Sequence, residues 1–296
     1  MDNLTHGITG LGLAYLAQEI VGSPQPGLAA CAFISSQLPD LDVIIGSRGK
    51  TEYLKHHRGF SHSLLVAPLF AFAVALGFKS FITDTSLVLF FIVSLLSLGL
   101  HLFFDLLNAY GTKLLWPLSN KRYAWDILMI IDPLIIIFFV LGLGFYLLEG
   151  QRAPLFSLYP LLTLYILAMV NFRQKAKGYL IRKFPGNNNV CLLPPMVGWR
   201  KWNYIVQQGE MFILGQVDAY QGDIKVKEEL CREKECKMVV STKGDPAVQV
   251  FLEFARFPWF SKSENGNEVV VKWSDLRYKL REKDHFALES KILPKH

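Results

Sequence analysis

The chain predicts an α-helical membrane bundle of four to six helices, followed by a small β-rich domain on the cytoplasmic side. Three observations carry this expectation. Hydrophobic residues make up 51% of the 296 residues and charged residues only 19%, below the roughly 25% of an ordinary soluble domain. Charge is divided unevenly: residues 1–171 hold nine Lys/Arg and ten Asp/Glu, whereas 172–296 hold 22 and 15. The first part is therefore net −1 and the second net +7. Long apolar runs lie in the first part, and short β-prone runs punctuated by turn residues lie in the second. Intrinsic disorder is excluded by the apolar content, and a disulfide scaffold by the presence of only four Cys.

Four apolar runs are strong: Leu64–Phe78, Ile82–Leu107, Ile127–Leu148 and Leu155–Phe172. A bilayer span needs about 20 mostly apolar residues, with about 17 as a lower limit. The second and third runs reach this outright, and the first and fourth reach it with their flanks. Two weaker runs, Ile8–Ile20 and Gly27–Leu38, suit short spans, re-entrant segments or packed helices. The opening MDNLTHG lacks the basic region of a signal peptide, so no cleaved leader is expected. Domains are expected at 1–172 (membrane-embedded), 173–189 (a basic connector) and 190–296 (β-rich).

Lys and Arg set the orientation. Arg48, Lys50, Lys55 and Arg58 enrich one loop, Lys113, Lys121 and Arg122 a second, and Arg173, Lys175, Lys177, Arg182 and Lys183 the stretch after the last span. Between them stand Lys79 alone and Arg152 opposed by Glu149. The alternation puts 39–62, 109–126 and everything after 172 in the cytoplasm. The expected arrangement is multi-pass, with both termini inside. In the tail, Tyr204–Val206, Met211–Val217, Val248–Ala255 and Val269–Trp273 read as strands, separated by Gly209, Gly222, Gly244–Asp245 and Asn265–Gly266–Asn267. Cys231 and Cys236 fall in a charged, helix-like stretch, and no second pair completes a zinc site. The tail holds only His285 and His296, which makes it accessory to any His-based chemistry.

The apolar part is interrupted by ionisable residues, and these are costly at membrane depth and usually functional. His101 and Asp105 lie four apart, on one face of a helix, with Asn108 on the same side. An imidazole and a carboxylate one turn apart suit a divalent metal, or equally a hydrogen-bonded pair joining two helices. Asp40 and Asp42 in Leu38-Pro39-Asp40-Leu41-Asp42 can converge on a cation, or cap a helix. Lys55-His56-His57-Arg58-Gly59-Phe60-Ser61-His62-Ser63 puts three His and an Arg before a span, for a metal, a phosphate or lipid headgroups. His6 is ambiguous alone. Asp132 before Pro133 sits just inside a strong span. With the orientation above, all of these share the cytoplasmic leaflet, together with Asp126.

The order Thr5-His6-Gly7, LPDLD at 38–42, HRGFSHS at 57–63, His101-Leu102-Phe103-Phe104-Asp105, Trp125-Asp126 and Ile131-Asp132-Pro133 resembles the YdjM/YfhP-type family of bacterial membrane-bound metal-dependent hydrolases. The resemblance covers about residues 1–170. The family pattern is also distantly similar to zinc-dependent phospholipase C and the S1/P1 nucleases, helical phosphoesterases with a His/Asp zinc cluster. It implies His6, Asp40, Asp42, His57, His62, His101 and Asp105 as metal ligands, with Asp132 as a further candidate. His56 beside His57 leaves two readings of which one binds. The metal expected is zinc or manganese. With Arg58 steadying a phosphate oxygen and Asp132 in a catalytic role, the expected activity is hydrolysis of a lipid-like phosphoester. Membrane lipids are the expected partners.

Two other classes compete. One is a metal- or lipid-sensing anchor whose tail binds a protein; the tail's diffuse charge, with Glu228, Glu229, Glu233 and Glu235 interleaved, argues against nucleic acid. The other is a transporter, against which the ligands' position at one face rather than the midplane counts. The orientation is directly testable. Reporter fusions after Lys183 and at Gln151 should read cytoplasmic and external; the reverse pattern would overturn both the topology and the shared leaflet.

Overall fold

The structure is a computed structural model and describes residues 1–186, 189–195, 198–232, 237–265, 268–279 and 287–292. Gly266, Asn267, Glu233, Glu235, Cys236, His285 and His296 lie outside the described residues. By internal contacts the chain divides into two units: Met1–Ile44 with His56–Asn171 and Met196–Gly198, and Ile45–Lys55 with Phe172–Pro195 and Trp199–His296.

The first unit is helical. Helix α1 (Asn3–Val21) starts where the Asp2 side chain accepts from the Thr5 amide and ends at Gly22, whose φ of 77° suits a left-handed cap. Helix α2 (Leu28–Gln37) runs into a 3-10 segment, Leu38–Arg48, and a short helix α3 (Lys50–His56), all but the last residue of which counts with the second unit. A second 3-10 turn, Phe60–His62, precedes α4 (Ala67–Phe81). Helix α5 (Leu87–Leu107) is capped by Ser86, and α6 (Pro133–Glu149) by Asp132. Helix α7 (Arg152–Lys183) continues helical through the whole basic stretch after Phe172.

Among the described residues, Leu28–Ile45, Leu87–Leu107 and Arg152–Lys183 are long and apolar enough to cross a membrane. Thr51–His62 with Ala67–Phe81 would make a fourth span, bent by 74° at its break. Helix α6 is apolar but has only 17 residues.

Helix α5 shows why these sequences form a bundle. Its buried positions include Phe90, Ser94, Ser97, His101 and Asp105, three or four apart on one stripe. Its outer face carries exposed Val88, Ile92 and Leu96. A soluble helix hides its apolar residues; this one hides its polar ones, as a lipid solvent requires. Small residues let the neighbours close in. Ala67, Ala71 and Ala75 of α4 are fully or nearly buried against α5. A Cβ on Gly10 of α1 would come within 2.9 Å of the Ser36 Cβ and Oγ of α2. Ser35 of α2 and Ser94 of α5 hydrogen-bond across their interface.

The second unit holds two antiparallel sheets. The first runs β1 (Asn189–Leu193), β2 (Lys201–Gln208), β3 (Met211–Asp218), β4 (Ile224–Cys231) in spatial order. Its central strands alternate around buried Trp202, Tyr204, Phe212 and Leu214. The second sheet is β5 (Pro258–Asn265), β6 (Glu268–Asp275) and β7 (Ala287–Ile292), accompanied by helices α8 (Lys237–Thr242) and α9 (Pro246–Phe254). Its core is Val239, Val248, Phe251, Phe260, Val271 and Trp273, with Leu54 packed against it.

Two expectations for the tail are corrected. Val248–Ala255 belongs to a helix, because Asp245 caps the Ala247 amide and Pro246 supplies a preset first position. Cys231 ends strand β4, not a helix.

Packing at Gly10 yields a measurable contrast. Gly10→Ala should destabilise the detergent-solubilised protein by about 1–3 kcal/mol through overpacking. Gly99→Ala on α5, where an added Cβ meets nothing within 4 Å, should be neutral or gain about 0.5–1 kcal/mol. Thermal unfolding of the two variants reads the difference.

Candidate metal centre

Four side chains from three parts of the first unit meet at one point. Asp40 comes from the 3-10 segment after α2, His62 from the 3-10 turn before α4, and His101 and Asp105 from α5. Each offers one ligand atom, and all four atoms lie within 4.8 Å of one another. His62 Nε2 stands 3.1 Å from Asp105 Oδ2 and 3.4 Å from Asp40 Oδ1. His101 Nε2 is 3.6 Å from each of the same two oxygens and 3.3 Å from His62 Nε2. The side chains of His62, His101 and Asp105 are closed to solvent, and Asp40 keeps 11% of its side chain exposed. The site therefore opens on the Asp40 side.

The protons can be placed from the partners. His101 Nδ1 lies 2.7 Å from the Ser36 carbonyl, which only accepts, so Nδ1 carries the hydrogen and Nε2 the lone pair. His62 Nδ1 faces Ser61 Oγ at 2.9 Å and Asp42 Oδ2 at 3.4 Å, which likewise favours hydrogen on Nδ1. Two imidazole lone pairs then point at two carboxylate oxygens. Asp105 Oδ2, fully buried, has no hydrogen-bond partner. One extra proton on His62 would answer one of these contacts and leave the others unmet. A divalent cation would answer all four, and two imidazole nitrogens with two carboxylate oxygens are donors that such ions take.

Asp42 does something different from Asp40. It accepts from His57 Nδ1 at 2.8 Å, from the Arg58 amide at 2.8 Å and from Ser61 Oγ at 3.1 Å. With His62 Nδ1 also beside it, this carboxylate orients the HRGFSH turn, as carboxylates behind metal-ligating histidines do. His57 is thus the member of the His56–His57 pair turned toward the carboxylates, and it joins the centre through Asp42 rather than among the four. His56 is exposed.

Arg58 has a φ of 55°, a conformation costly for a non-glycine residue. Asp42 holds its amide, and its carbonyl accepts from Lys113 at 2.9 Å. Its buried guanidinium donates to Asp105 Oδ1 and Asn108 Oδ1, each at 2.9 Å, and lies over the Tyr110 ring. Arg58 Nε has no partner. Two of the five N–H donors are committed, and the rest of the fork is available to an oxyanion.

His6 stacks on His101 with ring centroids 3.7 Å apart and brings Nε2 to 3.4 Å from Asp105 Oδ1. The Met1 amino group contacts both His6 Nε2 and Asp105 Oδ1. Asp132 is occupied elsewhere: it caps the Leu134 and Ile135 amides of α6 and accepts from the Tyr165 hydroxyl at 2.8 Å.

Several contributors were not legible in sequence. The Ser36 carbonyl is a backbone group and leaves no residue-type signal. Residues 109–126 looked like a plain basic loop, yet Thr112 bridges to Tyr123, the Leu64 amide donates to Leu114 and Ser63 Oγ donates to Trp116, so this loop braces the 58–64 turn. Asp126 is buried with a φ of 54°. Its neighbours Trp125 and Ile127 donate to the last carbonyls of α5, Leu106 and Leu107.

Comparison with known proteins agrees with the motif order. The chain is 26% identical to the uncharacterized protein YfhP of Bacillus subtilis (strain 168) over 295 residues, covering 97% of this chain and 89% of that protein. No solved structure matches. The model of the YdjM inner membrane protein family matches residues 1–176, more than half the sequence. This chain belongs to the YdjM inner membrane protein family.

Proposed function

We propose that this protein is a membrane-bound metal-dependent hydrolase that cleaves a phosphoester of a lipid or similarly amphiphilic substrate at the cytoplasmic membrane face. The observation that carries the proposal is the convergence of His62 Nε2, His101 Nε2, Asp40 Oδ1 and Asp105 Oδ2, all within 4.8 Å of one another. These four residues would hold the ion, with His6 next to them. A divalent ion bound there supplies Lewis-acid polarisation of a phosphoryl oxygen and a nucleophile at neutral pH.

The chain's own groups do the rest. Arg58, fixed by Asp105 and Asn108, presents its remaining N–H donors to a phosphate oxygen. Asp42 holds the turn that carries both Arg58 and His62, so the anion clamp and one ligand move together. Burial of Asp105 and His101 excludes bulk water, which strengthens every charge interaction inside. A site at the end of apolar helices favours a substrate that is itself partly dissolved in the bilayer.

Two variant sets test this reading. His101→Ala and Asp105→Ala should each cut bound zinc or manganese by at least about tenfold and abolish release from a phospholipid and from a soluble phosphodiester. The double variant should be little worse than either single, because the groups share one network. Retention of metal and turnover in all three would sink the enzyme reading and favour a sensor or anchor. Asp42→Asn should keep the ion but lose about 10–100-fold in activity, as groups that orient ligands do.

A further inference from the structure

Helices α6 and α7 form a hairpin whose arms are tied together at two levels. Midway along α6 they touch: a Cβ on Gly142 would lie 2.5 Å from Leu158 Cδ2, and the Phe139 and Tyr159 rings are 5.6 Å apart. Between that contact and the start of α6 they line a cavity of about 300 Å³, formed by Leu134, Ile135, Phe138, Leu161, Leu162 and Tyr165. Its lining is apolar, and beside it, at the start of α6, the Tyr165 hydroxyl donates to Asp132 Oδ2 at 2.8 Å. Leu134 and Leu161 are each 45% exposed, so the cavity opens sideways. Its volume sits at the lower edge of ligand pockets, about 300–1,000 Å³, and its make-up matches theirs: mostly apolar, with few polar groups.

Asp132 also marks which way the cavity points. Ile130, two residues before it, accepts from the Asp2 amide at 3.0 Å. Asp2 caps α1, the helix that carries His6, and Met1 contacts His6 and Asp105. The polar end of the cavity and the metal centre are thus tied to the same end of α1. The apolar remainder runs away from it, between helices.

We infer that the α6–α7 groove is the subsite for the hydrocarbon chain of the substrate, with the chain's polar head directed toward the Asp40–His62–His101–Asp105 centre. This rests on the hydrolase reading and adds a chain site to it. An unfilled apolar gap forfeits dispersion contacts, and in a bilayer the fluid able to fill it is hydrocarbon. Polarity at one end only selects an amphiphile laid in one direction.

The test uses the full-length protein in nanodiscs containing phosphatidylglycerol with a diazirine on one acyl chain. After photolysis, peptide mapping should find label on Leu134–Phe138 and Leu161–Tyr165 enriched about tenfold over the lipid-facing stretch Val88–Leu96 of α5. Leu161→Trp, and separately Leu134→Trp on the opposite wall, should remove that enrichment. Both should also raise KM for a long-chain lipid phosphoester by about tenfold, the discrimination a few methylene contacts supply, with bound metal and hydrolysis of bis(p-nitrophenyl) phosphate unchanged. Leu164→Trp, on the exposed face of α7 outside the groove, should do none of this. Uniform labelling in a protein that hydrolyses both probes would overturn the chain site and leave the hydrolase reading standing. Enriched labelling in a protein that hydrolyses neither would overturn the substrate assignment.

Discussion

The carboxylate of Asp105, fully buried near the end of α5, is the constraint from which the first unit can be understood. Placing an unpaired charge there would cost several kcal/mol. The fold answers by bringing it His62, His101, His6, Arg58 and Asn108, from α1, the HRGFSH turn and α5 itself. One oxygen, Oδ1, takes the Arg58 guanidinium and the Asn108 amide. The other, Oδ2, takes no hydrogen bond and faces the two imidazole lone pairs. A single residue therefore joins the Arg58 guanidinium to the candidate metal position.

That arrangement needs close helices. Asp40 reaches the centre because α1, α2 and α5 pack through Gly10, Ser35, Ser36 and Ser94, which let backbones approach and let the Ser36 carbonyl meet His101. In a lipid solvent such small and polar contacts replace the hydrophobic drive available in water. The strained backbone of Arg58 belongs to the same scheme: it is held by Asp42 on one side and by Lys113 of the bracing loop on the other. Strain maintained from two sides is a form of preorganisation.

Much of this was legible from residue type and spacing. His101 and Asp105 at i and i+4 had to share a helix face, and their company in an apolar run marked them as paired. Asp40 and His62 were nominated by the motif order, as were His6 and Asp42. Spacing alone left open which of these touch an ion and which hold those that do. Asp40 and Asp42, two residues apart, look equivalent in sequence. In the fold Asp40 Oδ1 faces the lone pairs, while Asp42 takes donors from His57, Arg58 and Ser61. Asp132 met the same criterion as Asp105, a carboxylate in an apolar run, yet it caps α6. In the tail, β-prone Val248–Ala255 became a helix because Asp245 and Pro246 set its first turn.

The sequence by itself determined the helical membrane part, the β-sheet part and the family, because solvent preference and hydrophobic period are written locally along the chain. It also determined the pool of candidate ligands, because ionisable groups are rare where lipid is the solvent. Only the tertiary structure decided the division of labour within that pool. A hydrogen-bond partner is chosen by distance and direction across elements far apart in sequence, and several of the deciding partners, such as the Ser36 carbonyl and the Arg58 amide, are backbone groups that carry no residue-type signal.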